Sequence, residues 1–193
     1  MSNEKDTSNK TNNRRAYLND FRKDETGTYV YCGAVYDYEG SGKSLRSLKL
    51  LLCALGALTL AALLVSGLIQ VPGMDHSIYI ILPYAAALCG SVSVCWALGQ
   101  LCIGGVSLRE YLYRESIEKL PIRCVFTACC SAAALLGEPV YILINGTENM
   151  NGGCILFLIQ QSIAIASMLL LRSRILQTKW HKRSKSDSDS QKI

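Results

Sequence analysis

One acidic residue stands inside a long apolar stretch of this sequence: Glu138, followed directly by Pro139. A proline within a helix leaves the carbonyl about one turn earlier without its amide partner, so the pair combines an ionisable group with a freed backbone acceptor. Helical counting places further polar groups in roughly the same layer: Gln160, Gln161, Ser66, and Tyr84 beside Pro83. Burial favours the neutral carboxyl, which can donate to a Gln or Tyr oxygen. Such a layer can hold a proton or a cation, or it can be a hydrogen-bonded kink. It lacks the companion His or carboxylates that a nucleophile, an acid and a metal ligand would require. No catalytic residue is assigned on this basis, and the chain is not read as an enzyme.

Nine cysteines are the other chemical candidates, with two histidines, His76 and His181. Cys129 and Cys130 are adjacent and point to different helix faces, and no Cys-x-x-Cys pair occurs. Eight of the nine (Cys53, Cys89, Cys95, Cys102, Cys124, Cys129, Cys130 and Cys154) lie in apolar segments, where cysteine serves as a small packing residue. Neither a metal site nor a redox site is expected, and no cofactor. Gly40-Ser-Gly-Lys-Ser44 resembles the end of a phosphate-binding loop, but the glycine due five positions before Gly42 is Asp37 and no buried strand precedes it. It is read as a linker with a basic end.

The elements that must position these residues follow from composition. Half of the 193 residues are apolar and the mean hydropathy is positive, which is too apolar for an ordinary soluble domain. A helix crosses about 30 Å of hydrocarbon with roughly 20 apolar residues. Four such runs are present, at about 48–69, 78–103, 122–144 and 154–171, and none has Lys or Arg in its interior. They predict an all-α membrane protein, four transmembrane helices in an up-down bundle spanning 46–172.

Charge then orients the bundle. Of the 20 Lys and Arg, nine lie before or at the start of the first run, four in the middle connection (Arg109, Arg114, Lys119, Arg123) and seven from Arg172 onward. The connections 70–77 and 145–153 have none. Basic flanks stay on the cytoplasmic side, so both termini are expected in the cytosol of a multi-pass plasma membrane protein. The net charge of +5 then lies beside anionic headgroups and requires no nucleic acid. A first apolar run that begins almost 50 residues in is too late for a signal peptide.

Outside the runs, residues 1–26 are polar enough to predict disorder. The Tyr-rich stretch 28–38 reads as an interfacial anchor, a short strand pair folding at Gly33, or a docking strand for another protein's sheet edge. Glu110 with Arg114 and Glu115 with Lys119 stand at i,i+4, predicting that the second helix continues into the cytosol or bends along the membrane surface, ending before Pro121. Residues 173–193 form a basic, flexible tail. Asn145-Gly-Thr147 matches a glycosylation acceptor but abuts a span.

Small residues four apart offer close helix approach: Ala57/Ala61, Ala86/Gly90, Ala133/Gly137 and Ser162/Ala166. Tyr29-Val30-Tyr31-Cys32-Gly33 with Tyr36 ahead of the first span, and Leu82-Pro83-Tyr84 in the second, resemble small four-span integral membrane proteins of Gram-positive bacteria with no assigned function. The resemblance covers most of the chain, implies a bacterial plasma membrane location, and carries over no catalytic or binding residue. The expected role is an accessory, scaffold or interaction subunit, in contact with the bilayer and with a membrane-protein partner or a second copy. A small channel or carrier using Glu138 is the alternative.

Overall fold

The computed structural model describes residues 21–23, 27, 29–31, 34–105, 107–146 and 151–183. In chain order these form strands β1 (Phe21–Lys23), β2 (Tyr29–Tyr31) and β3 (Val35–Tyr38), helix α1 (Gly42–Gly67), short helix α2 (Pro72–His76), and helix α3 (Ile78–Ile103). Then come β4 (Ser107–Arg109), α4 (Glu110–Tyr113) running into a π-helical turn (Arg114–Glu118), α5 (Leu120–Asn145), α6 (Gly152–Leu176) and β5 (Trp180–Arg183). Four helical segments, ending in α1, α3, α5 and α6, are long and apolar enough to cross a membrane. They pack as an up-down bundle in the cyclic order α1–α3–α5–α6.

The inward face of every long helix follows one rule. In α5 it is Leu120, Cys124, Thr127, Ser131, Ala134, Glu138 and Tyr141, alternating steps of four and three. Cys154, Phe157, Gln161, Ala164, Met168, Leu171 and Ile175 do the same in α6, as do the series from Ile80 to Leu101 in α3 and from Leu52 to Ser66 in α1. A seven-residue repeat is the seam of a left-handed coiled bundle. What sits on that seam is unusual for water: Thr59, Ser66, Ser91, Thr127, Ser131, Glu138 and Gln161 are buried, while Leu143 and Trp96 are 83% and 70% exposed. Apolar surface outside and hydroxyls inside is the arrangement a hydrocarbon solvent favours, because helices gain nothing by hiding leucine from lipid.

Most of these hydroxyls are satisfied within their own helix. Thr59, Ser66, Ser91, Thr127 and Ser167 each stand within hydrogen-bond reach of a carbonyl three or four residues earlier, at 2.7–3.0 Å. Thr59 and Ser167 meet across α1 and α6 at 2.6 Å, where one hydroxyl donates to the other in place of its own helix carbonyl. The close-packing pairs expected from the sequence are only half right. Gly90 faces Thr127 and Gly137 faces Ile80, but Ala133 is exposed and Ala57, Ala61, Ser162 and Ala166 lie on outer faces. Spacing by four fixes that two residues share a face, not which face is inward.

Helix bounds depart from the sequence reading at the ends. Ser41 caps α1, accepting from the Ser44 amide at 3.3 Å, so 42–45 is the first turn of the helix rather than a linker. Asn151 caps α6 in the same way, and Gly146, at φ +86, ends α5. The second long helix does not continue into the middle connection: α3 stops at Ile103 with Gly104 as its cap, and a separate strand and short helix follow. The two expected ion pairs are present, Glu110–Arg114 at 3.2 Å and Glu115–Lys119, with Arg123 joining Glu115 at 3.0 Å.

The largest departure is at the end of the bundle where α1 begins and α3 and α6 finish. There β3, β4 and β5 form one antiparallel sheet in the order β4–β3–β5. Tyr36 pairs with Leu108 on one side and Lys182 on the other, and Tyr38 pairs with Trp180. The Tyr-rich stretch is therefore split. Tyr29–Tyr31 pairs with Phe21–Lys23, inside the segment expected to be disordered, and Val35–Tyr38 pairs with the chain's distant parts, so the two do not fold on each other at Gly33. Cys32 and Gly33, and the remainder of residues 1–26, lie outside the described residues. Four residues of the presumed tail are likewise a strand, whereas 184–193 lie outside the described residues.

Aromatic contacts fasten the sheet. Tyr36 and Tyr113 stack with centroids 4.0 Å apart, and Trp180 meets Tyr38 and Tyr113 edge-on at 5.4 and 6.1 Å. Leu108, fully buried, pins β4 into the helix core, and Asp37 pairs with Arg183 at 2.8 Å. Exposed ion pairs are worth little, so the rings and Leu108 dominate. Trp180→Ala is expected to detach β5, seen as faster trypsin cleavage at Lys182 and Arg183 in detergent, while Arg183→Ala leaves cleavage at Lys182 near the wild-type rate.

Candidate functional site

Glu138 is fully buried on the seam of α5 at the end of the bundle opposite the sheet. Short helix α2 closes that end like a plug. Pro72 starts it, fixing φ where no amide partner is needed, and Gly73 lies so close that any Cβ there would strike Glu138 Oε2. The groups bearing on the carboxyl are the Gly73 amide and the Cys154 thiol at the start of α6. Neither gives it a hydrogen bond of good geometry, and both carboxyl oxygens are buried without a partner.

The polar layer expected from the sequence divides in two. Gln161, Ser66 and Tyr84 come together: Gln161 Nε2 donates to Ser66 Oγ at 3.3 Å, Ser66 Oγ to the Leu63 carbonyl at 2.9 Å, and Tyr84 Oη to the same carbonyl at 2.6 Å. Phe157 packs against Tyr84 at 6.3 Å. Glu138 is not part of this group. It lies level with Cys154, seven residues before Gln161 on α6, which is about 10 Å along the axis. Gln160 is only half-buried beside that group, and Pro139 is exposed on the outer face of an α5 that runs unbroken through it to Asn145.

Sequence counting missed Gly73 and Cys154, the two groups nearest the carboxyl, and Ser131, whose buried Oγ has no partner. Gly73 follows Pro72 in a short turn that hydropathy does not resolve. Ser131 was visible in principle, since it stands seven residues before Glu138 on the same helix. Among the described residues no group of His, Cys, Asp or Glu is arranged to hold a metal.

Tyr84→Phe removes the 2.6 Å bond to Leu63 while keeping the ring. The expected loss is about 0.6–1.7 kcal/mol, the range for hydrogen bonds between membrane helices, read by denaturant titration in micelles.

The fold and this site define a multi-pass membrane protein built on a four-helix coiled bundle. Compared with protein-family models, with curated proteins and with solved structures, the chain finds no match.

Proposed function

We propose that this chain is a non-catalytic accessory subunit of the plasma membrane whose sheet end faces the cytosol and docks a membrane-protein partner or a second copy. The observation that carries this reading is the composite sheet. Segments before α1, between α3 and α5, and after α6 are gathered into one aromatic and basic platform. Its two outer strands are short, and β5 carries exposed His181, Lys182 and Arg183. Basic residues gather at this end, while the connections at the other end have none, which supports the cytosolic orientation. The test is affinity purification of the tagged protein in mild detergent from its own membranes, comparing wild type, Trp180→Ala and Glu138→Gln. A defined partner is expected with wild type and Glu138→Gln and is lost with Trp180→Ala.

One observation favours a second reading, a proton or cation carrier. Glu138, Gln161 Oε1 and Ser131 Oγ are buried polar atoms without partners on the bundle's inner seam. An intramembrane carboxyl of this kind is a default transport candidate. If the protein purifies alone and liposome flux is lost only with Glu138→Gln, transport replaces the accessory reading.

A further inference from the structure

At the sheet end of the α1–α3 seam, Cys53 Sγ and Cys102 Sγ lie 3.1 Å apart, although the two residues are 49 positions apart in sequence. Cysteines scattered in spans as packing residues have no reason to meet tip to tip. Disulfide formation needs the sulfurs to close to about 2.05 Å, a shift of roughly 1 Å from where they stand. Access is asymmetric. Cys102 is exposed and lines a cavity of about 580 Å³ with Lys43, Arg46, Lys49 and Gly104, whereas Cys53 is half-buried behind it. The Lys49 ammonium, anchored on the carbonyls of Gly104 and Gly105, stands within electrostatic reach of both sulfurs.

We infer that Cys53 and Cys102 form an oxidisable dithiol whose co-reactant is a hydroperoxide entering by this cavity. Cys102 sulfur attacks the peroxide, the O–O bond breaks, the thiol proton leaves with the alcohol or water, and a sulfenic acid remains on Cys102. Cys53 sulfur then attacks that sulfur. The S–O bond breaks, water leaves with the second thiol proton, and the S–S bond forms, two electrons having passed to the peroxide. On the orientation proposed above the sheet end faces a reducing compartment, so the resting form is the dithiol and thiol exchange restores it. The bond would staple α1 to α3 at the mouth of the basic cavity.

The test uses the full-length wild-type protein in proteoliposomes, treated with hydrogen peroxide, capped with a maleimide and mapped by mass spectrometry without reduction. The expected result is a Cys53–Cys102 linked peptide pair two hydrogens lighter than its parts, reversed by dithiothreitol, with both sites lost from the maleimide map. The pair should persist in Cys95→Ser and vanish in Cys102→Ser. Three results overturn the inference: both thiols stay alkylatable at doses that oxidise other cysteines, Cys53 bonds Cys95 instead, or Cys102 proceeds to sulfinic acid without linking. The wild-type map is decisive even if a variant fails to fold. The outcome is independent of whether a partner protein is captured.

Discussion

Gly90→Ala is expected to destabilise the bundle by about 1–3 kcal/mol, the usual cost of forcing an extra methyl into a packed seam. A Cβ at position 90 would strike Thr127 Oγ1, while Phe126 Cδ1 at 3.5 Å would be in ordinary contact. Thr127 cannot easily turn away, because its hydroxyl is bonded to the Arg123 carbonyl at 2.9 Å and its side chain is fully buried. The methyl therefore separates α3 from α5, which form the most extensive helix pair of the bundle. Thr127→Ala in the Gly90→Ala background is expected to recover most of the loss, since it removes the obstructing atoms. Denaturant titration of all four forms of this cycle gives the coupling directly. Gly99→Ala is a control, because a Cβ there meets open space.

Glu138→Leu is expected to stabilise the protein by about 1–3 kcal/mol, the reverse of most core substitutions. The carboxyl is fully enclosed and only the Gly73 amide and the Cys154 thiol bear on it, neither with good hydrogen-bond geometry, so its desolvation is poorly offset. Leucine fills similar space with nothing to satisfy, whereas Glu138→Ala should destabilise by leaving a cavity. Helix content followed through thermal denaturation in detergent reads both. A loss with leucine would mean that the carboxyl is held by bonds to Gly73 and Cys154 and acts as a structural kink group. A gain shows that the chain retains an acid at a cost in stability, which points to a role in binding or transfer.

Much of the bundle was legible because hydropathy acts on whole segments. The run 78–103 coincides with α3, and the alternation of basic connections puts the two termini and the middle connection at one end, where the sheet joins them. Facing was less legible. In water the apolar stripe marks the inner side, but in lipid the outer side is apolar as well, so Thr59, Ser66 and Ser131 marked the seam better than any leucine. Pairing between β3, β4 and β5 was hidden for another reason. Each strand has three or four residues and draws its order from partners about 70 and 145 positions away, which no local pattern encodes. The site was half legible: Gln161, Ser66 and Tyr84 do converge, but Glu138 is capped by a glycine in a turn and stands a heptad away.

The sharpest test of the account is sided labelling with a membrane-impermeant maleimide, on a background whose native cysteines are replaced. Asp75→Cys in α2 and Asn149→Cys in the connection 145–153 are expected to react in intact cells. Lys179→Cys, immediately before β5, and Ser186→Cys are expected to react only after permeabilisation. Labelling of positions 179 and 186 from outside, with 75 and 149 protected, would place the composite sheet outside the cell and contradict the proposed cytosolic docking platform.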